Sequence, residues 1–202
     1  MVIQPITPEG YTMSVHFPDA TVRDAANEPA TAKCIYRWPV LAPHVGGHRE
    51  PETEHEKQLL AELHYLLQLA ENRFKHAAKN LPFLREAEFL LEHGRFYTPR
   101  PLPKGLKAGR QRGCYLVSQL HAGNTADLTY VEGYGQCSGF CHPHAWCVDA
   151  EGEVIDRTWT GRTGRPVGQA YFGVPLDRAY VKELLLARKY ADAFLMPAAF
   201  AE

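Results

Sequence analysis

Residues 144 to 159 read HAWCVDAEGEVIDRTW, and the turn inside this stretch constrains the fold more tightly than any other part of the chain. Ala150, Glu151 and Gly152 suit a three-residue hairpin loop, a type I turn whose following left-handed position is taken by glycine, with Asp149 at the first corner. Asp149 then faces Glu153, and Trp146 faces Asp156. His144 and Asp156 become diagonal neighbours on one face, about 7 to 8 Å apart at the backbone and within reach of each other's side chains. A slip of one residue would send them to opposite faces, and the same parity sends Asp149 away from the imidazole. Asp156 is therefore the carboxylate placed to orient His144.

A histidine held by a carboxylate is the base half of a nucleophilic triad and lacks only the nucleophile. Cys114 fits that place. It follows Gly113 at the start of a predicted helix, with Arg110 and Arg112 close by, so unpaired backbone N–H groups and positive charge both favour a thiolate there. The same N–H groups suit the oxyanion of an acyl-transfer intermediate. Gln136 is the side-chain candidate for the same task, and Trp146 is a candidate wall for substrate, although tryptophan acts mainly through buried area. Gln119, on the helix of Cys114, reads as a surface residue.

The cysteine inventory offers a competing reading. Five cysteines, Cys34, Cys114, Cys137, Cys141 and Cys147, are an odd count, so at least one thiol is free. Cys137, Cys141, His142, His144 and Cys147 have the residue types for a tetrahedral zinc site, but their C-x-x-x-C spacing lacks a matching second pair. We expect no metal and no other cofactor, and read GYGQCSGFCHP as a loop forming one wall of a cleft. Pro143 argues that the strand carrying His144 starts after His142. A zinc-stabilised or inactive binding domain is the alternative function class.

Around these residues the chain organises as α+β, with N-terminal helices packed on an antiparallel sheet in a single domain over 1–202. Residues 1–50 are rich in turn formers around a strand-like piece from Cys34 to Leu41, and read as a wrapping arm. Leu59, Leu60, Leu63, Leu66, Leu67, Ala70 and Phe74 have helical spacing and predict a helix from Glu52 to Lys79. Pro82 starts a second helix to His93, stopped by Gly94, completing a helical part over 51–95. TPRPLPKGLKAGRQR, from Thr98 to Arg112, reads as a loop whose charges are all positive, a basic flap beside the thiol. The region 113–175 holds the helix Cys114 to Ala122, ended by Gly123, and strands over Leu128 to Tyr134, His144 to Asp149, Glu153 to Thr158 and Tyr171 to Val174. A last helix, from Leu176 to Phe194, occupies the segment 176–196.

With 22 basic against 23 acidic residues the formal charge is -1, which supplies no broad field for nucleic acid or an anionic membrane. No run of about 18 apolar residues occurs, and MVIQPITPEG lacks a basic region followed by an apolar one. These features make a cytoplasmic protein acting on a peptide or small amide or acyl substrate the expectation, with oligomeric state left open.

The order of cysteine on a helix, Gly133-Tyr134 on a strand, His144-Ala145-Trp146 on the next, and then Val154-Ile155-Asp156-Arg157-Thr158-Trp159 resembles the core of the transglutaminase-like superfamily, which shares its architecture with papain-like peptidases. The resemblance covers Gly113 to Trp159. It implies cysteine as nucleophile, histidine as base and aspartate as orienter in amide hydrolysis or acyl transfer, the roles falling on Cys114, His144 and Asp156. Two departures stand out: Gly113 is adjacent to the cysteine rather than two residues before it, and Arg157 stands where proline is frequent. The arginine-glycine-glycine approach of the arylamine N-acetyltransferases, which share this plan, is half present as Arg112-Gly113.

Overall fold

Leu59 and Leu63, one turn apart, are almost completely buried, and they set the face that the first helix, α1 (Glu54–Arg73), turns to the protein. Its start is a reciprocal cap that the sequence reading did not use. The Glu56 amide donates to Thr53 Oγ1 at 3.2 Å, and the Thr53 amide donates to Glu56 Oε2 at 3.0 Å. The buried Glu56 carboxylate also pairs with Arg49, which outweighs the upward push of burial and holds its pKa at about 2. In the computed structural model the described residues are 39–43, 49–73, 82–110, 112–161, 163–188 and 193–195, all within the unit Ile35–Glu202. Most of the expected arm, with Cys34, and the expected end of α1 beyond Arg73 lie outside them.

Helix α2 (Pro82–His93) follows, and the chain passes Gly94 into a strand, β1 (Arg95–Pro99). Gly94 is needed for close approach, since a Cβ there would meet Leu90 O at 2.3 Å and the Phe172 ring at 2.6 Å. Then come α3 (Cys114–Asn124), β2 (Thr129–Cys137), β3 (Phe140–Val148), β4 (Glu153–Ile155), β5 (Ala170–Leu176) and α4 (Arg178–Arg188). The strands close into a barrel in the order β1-β4-β3-β2-β5. The class is α+β, but the sheet is mixed rather than antiparallel, because β1 pairs with β4 in parallel.

Alternation sorts the side chains. Tyr97, Val131, Trp146, Val148, Val154 and Tyr171 form one buried cluster, inside the barrel. Ala145, Cys147, Phe172 and Val174 point the other way, into the larger cluster shared with Leu59, Leu63, Leu90 and Val181 of the helices.

Several expected boundaries need correction. Thr98 and Pro99, read as loop, end a strand paired to β4 and β5. GYGQCSGFCHP is not a cleft loop: β2 and β3 continue through it to a tight turn at Ser138 (φ 53°) and Gly139 (φ 80°), the left-handed pair that such hairpins require. Pro143 is tolerated inside β3 because β4 reaches only Cys147 and Val148, leaving one side of the strand at Pro143 free of a partner. Helix α3 runs through Gly123 to Asn124, and Arg178 donates to the Gly123 and Thr125 carbonyls at its end. Helix α4 begins after Leu176, which belongs to β5, with Asp177 Oδ1 accepting from the Tyr180 amide. Ala193 to Leu195 are not helical: Glu132 takes the Phe194 and Leu195 amides instead. No helix among the described residues is long and apolar enough to cross a membrane.

Candidate active site

The hairpin turn has the register that its residues dictate. The Gly152 amide donates to the Asp149 carbonyl at 3.1 Å, Gly152 sits at φ 81°, and Val148 pairs with Val154. Strand β4 stops at Ile155 because Asp156 bends the chain: its Oδ1 accepts from the Thr158 amide at 2.8 Å, Thr158 Oγ1 at 2.9 Å and the Trp159 amide at 3.0 Å. That local turn leaves Oδ2 free to accept from His144 Nε2 at 2.7 Å and from the Tyr171 hydroxyl at 3.0 Å. The carboxylate is thus saturated by five contacts, and both residues are almost fully buried.

Cys114 opens α3, and its half-buried thiol lies close enough to His144 to act on the imidazole's pKa. With Nε2 engaged by Asp156, the free ring nitrogen Nδ1 is the one left for the thiol. Burial pulls the His144 pKa down, but Asp156 and Cys114 together outweigh it and hold the imidazole above its ordinary value. Burial pushes Asp156 up, and His144 with the Thr158 and Trp159 amides keeps it below the usual carboxylate range. The charged pair is therefore favoured on both sides.

The first turn of α3 has no side-chain cap on its N–H groups. The chain reaches it through Arg112 at φ 61°, a left-handed conformation that costs a residue other than glycine about 1–3 kcal/mol and tends to persist where surroundings over-determine it. Helix α3 is clamped to β3 one turn further on, where Ser118 Oγ donates to the Ala145 carbonyl at 3.1 Å and the Cys147 thiol to the Ser118 carbonyl at 3.3 Å. This fixes the helix that carries Cys114 against the strand that carries His144.

The other site candidates separate. Trp146 is fully buried beside His144, with ring centroids 6.1 Å apart, so it packs behind the imidazole and offers no surface to a substrate. Gln136 is also fully buried, and the β2–β3 register puts it on the face opposite His144, with neither amide atom hydrogen-bonded. Gln119, expected at the surface, is buried and donates to the Tyr130 hydroxyl at 3.1 Å. Along β3, alternation puts Cys141 and Cys147 on one face and His142 and His144 on the other. Among the described residues no group of three or more His, Cys, Asp or Glu is disposed to hold a metal ion.

Three contributors escaped the sequence reading. Thr158 and Tyr171 hold Asp156. Trp159 stacks on His144 with centroids 3.8 Å apart and planes 13° apart, and it packs across Gly135. A Cβ at Gly135 would lie 2.5 Å from the Trp159 ring. Gly135→Ala should push the indole off the imidazole at a cost of about 1–3 kcal/mol, the usual range for overpacking. A red shift of tryptophan fluorescence and a lower denaturation midpoint would report it; unchanged fluorescence with full stability would contradict it.

No family model, curated protein or solved structure matches the chain.

Proposed function

We propose that this protein is a cysteine-nucleophile hydrolase or acyltransferase of the transglutaminase-like kind, acting on an amide, isopeptide or thioester bond through a covalent acyl-cysteine. The observation that carries this reading is the buried His144–Asp156 pair, Nε2 to Oδ2 at 2.7 Å, with the Cys114 thiol at the start of α3 near enough to help raise the imidazole's pKa.

In this reading the imidazole takes the thiol proton and Cys114 Sγ attacks the carbonyl carbon of the substrate. The N–H groups at the start of α3 face the negative oxygen that develops. The tetrahedral intermediate collapses as His144 returns the proton to the leaving amine or thiol, and the acyl group stays on sulfur. His144 then removes a proton from water or an amine, which attacks the thioester and regenerates the thiol. Asp156 keeps the ring orientation and stabilises the imidazolium without taking the proton. Gln136 and Trp146 have no part in these steps. A cytoplasmic setting, where thiols remain reduced, suits such a nucleophile.

Limiting iodoacetamide at neutral pH followed by peptide mapping tests the reading. Cys114 should be alkylated ahead of Cys137, Cys141 and Cys147, and His144→Ala should slow its alkylation by about 100-fold, the lower range for loss of a positioned base. Burial already raises the Cys141 thiol well above its ordinary value and pushes Cys147 up to about 12, so neither competes. Cys137 reacting first, with Cys114 untouched in the folded protein, would leave a binding domain as the better account.

A further inference from the structure

Building on the cysteine-nucleophile reading, we propose that the rim of the Cys114 site is a positive collar that selects an acidic peptide, one whose scissile amide or isopeptide bond is flanked by carboxylates. Two stretches of the chain carry the collar, and neither contains an acid. Residues 98–112 include Arg100, Lys104, Lys107, Arg110 and Arg112; the stretch that follows Asp156 adds Arg157 and Arg165. In a chain whose formal charge is -1 this is a strong local concentration of one sign.

Both stretches border the triad along the chain: one ends two residues before Cys114 and the other begins directly after Asp156. Two backbone hydrogen bonds and one from a side chain fasten them to each other. The Gly109 amide donates to the Arg157 carbonyl at 2.7 Å, Arg157 Nε to the Lys107 carbonyl at 2.9 Å, and the Leu102 amide to the Gly164 carbonyl at 2.9 Å. Gly109 also lies against the first turn of α3, where a Cβ would stand 2.8 Å from Val117 Cγ1. Leu102 and Leu106 pack on the core, so the segment is held rather than loose.

The cations divide by partner. Arg100 is consumed by Asp149 and Glu153 and has a structural role. Lys104, Lys107, Arg110, Arg112 and Arg165 are exposed, and none forms an ion pair among the described residues. Arg157, on the second stretch, acts on the helix of the nucleophile: after burial it is the second influence that lowers the His121 pKa on α3. Fixed, unpaired charges of one sign around a cleft raise the local concentration of oppositely charged substrate. A peptide suits the site better than a small anion because the exposed cations are spread along two joined strips of chain rather than gathered at one point. An oligonucleotide is disfavoured, since the described face offers cations without a ladder of exposed aromatic rings for base stacking.

The test compares alkylation of Cys114 by iodoacetate and by neutral iodoacetamide, in the wild type and in the surface triple variant Lys104→Gln, Lys107→Gln, Arg110→Gln. The iodoacetate-to-iodoacetamide rate ratio should fall by roughly 3- to 10-fold in the variant, and in the wild type at high salt, where screening shortens the reach of the charges. An acidic peptide should protect Cys114 from iodoacetamide at concentrations where its glutamine-substituted analogue does not, and the triple variant should lose that protection. A ratio insensitive to both salt and substitution overturns the proposal, as does protection by an oligonucleotide but not by the acidic peptide. If iodoacetamide itself fails to single out Cys114, the nucleophile reading falls; if it singles out Cys114 without regard to charge, only the collar falls.

Discussion

Asp156→Ala should lower the unfolding free energy by about 3–5 kcal/mol, the range for removing one partner of a buried ion pair. The large value follows from what is left behind. His144 Nε2 and the Tyr171 hydroxyl lose their acceptor in a dry interior, and the Thr158 and Trp159 amides lose the oxygen that bends the chain after β4. At about 2–4 °C per kcal/mol for a chain of this size, the melting temperature should drop by roughly 6–20 °C. Asp156→Asn keeps the shape and an oxygen for the turn, so it should lose less stability while slowing Cys114 alkylation as severely.

The pH dependence of that loss has a definite sign. His144 is raised, so its contribution is complete below the ordinary imidazole value of about 6.5 and disappears as pH climbs through the folded value. Asp156 is lowered, so its contribution is present above about 4 and disappears as pH falls through the folded value. The stability gap between wild type and Asp156→Ala should be widest between about pH 4 and 6.5 and narrow on both sides. Urea denaturation across that range measures it. A gap that widens steadily above pH 7 would mean that His144 is neutral in the folded protein and that the pair is held by a neutral hydrogen bond.

The His144–Asp156 relation was readable because every step toward it is local. A glycine at the left-handed corner sets a loop of three residues, the loop sets the register, and the register sets the face. The body of α1 and the helix α2 were readable for the same reason, the first from apolar spacing and the second from Pro82 at its start and Gly94 at its end. What failed was long-range or depended on context. The stretch from Thr98 reads as loop because Pro99, Pro101 and Pro103 crowd it; Thr98 and Pro99 belong to a strand only because β5 and β4 lie on the two sides of β1, and a parallel partner leaves no trace in neighbouring residues. Pro143 argued against the outer half of β3, yet the shortness of β4 makes a proline harmless there. The helical pattern after Leu176 continues on paper to Phe194, whereas Glu132, some sixty residues earlier, claims the Phe194 and Leu195 amides. Of the site, Thr158 was within reach of the D-x-T pattern as a turn around Asp156. Tyr171 was not, since its hydroxyl meets Asp156 only through the closure of the barrel. Gln136 failed by parity alone, because a strand running on to Cys137 puts it on the face opposite His144.

Gly133→Ala is expected to be among the most damaging single substitutions in the chain, although it adds only one methyl group. Gly133 lies between His144 on β3 and Gly173 on β5. A Cβ there would stand 2.2 Å from the Phe172 carbonyl oxygen and 2.4 Å from the Gly173 Cα. Both obstacles are backbone, so no side chain can rotate away, and β2 and β5 must part at that point of the barrel wall. Parting them takes Tyr171 away from Asp156 and shifts the strand that supports His144. The expected loss exceeds about 4 kcal/mol, in the exceptional tail for a point substitution, and the selective alkylation of Cys114 should go with it. Gly135→Ala makes an informative control two residues away on the same face, because its obstacle is the Trp159 ring, which can move. The physical demand at Gly133 also explains why a glycine precedes Tyr134 in the strand beside the imidazole: it lets three strands converge tightly enough to bring Tyr171, Asp156 and His144 into one hydrogen-bonded file. If Gly133→Ala folds with a midpoint close to that of the wild type and Cys114 still reacts first, the strands can relax around that position, and the site does not depend on their close approach.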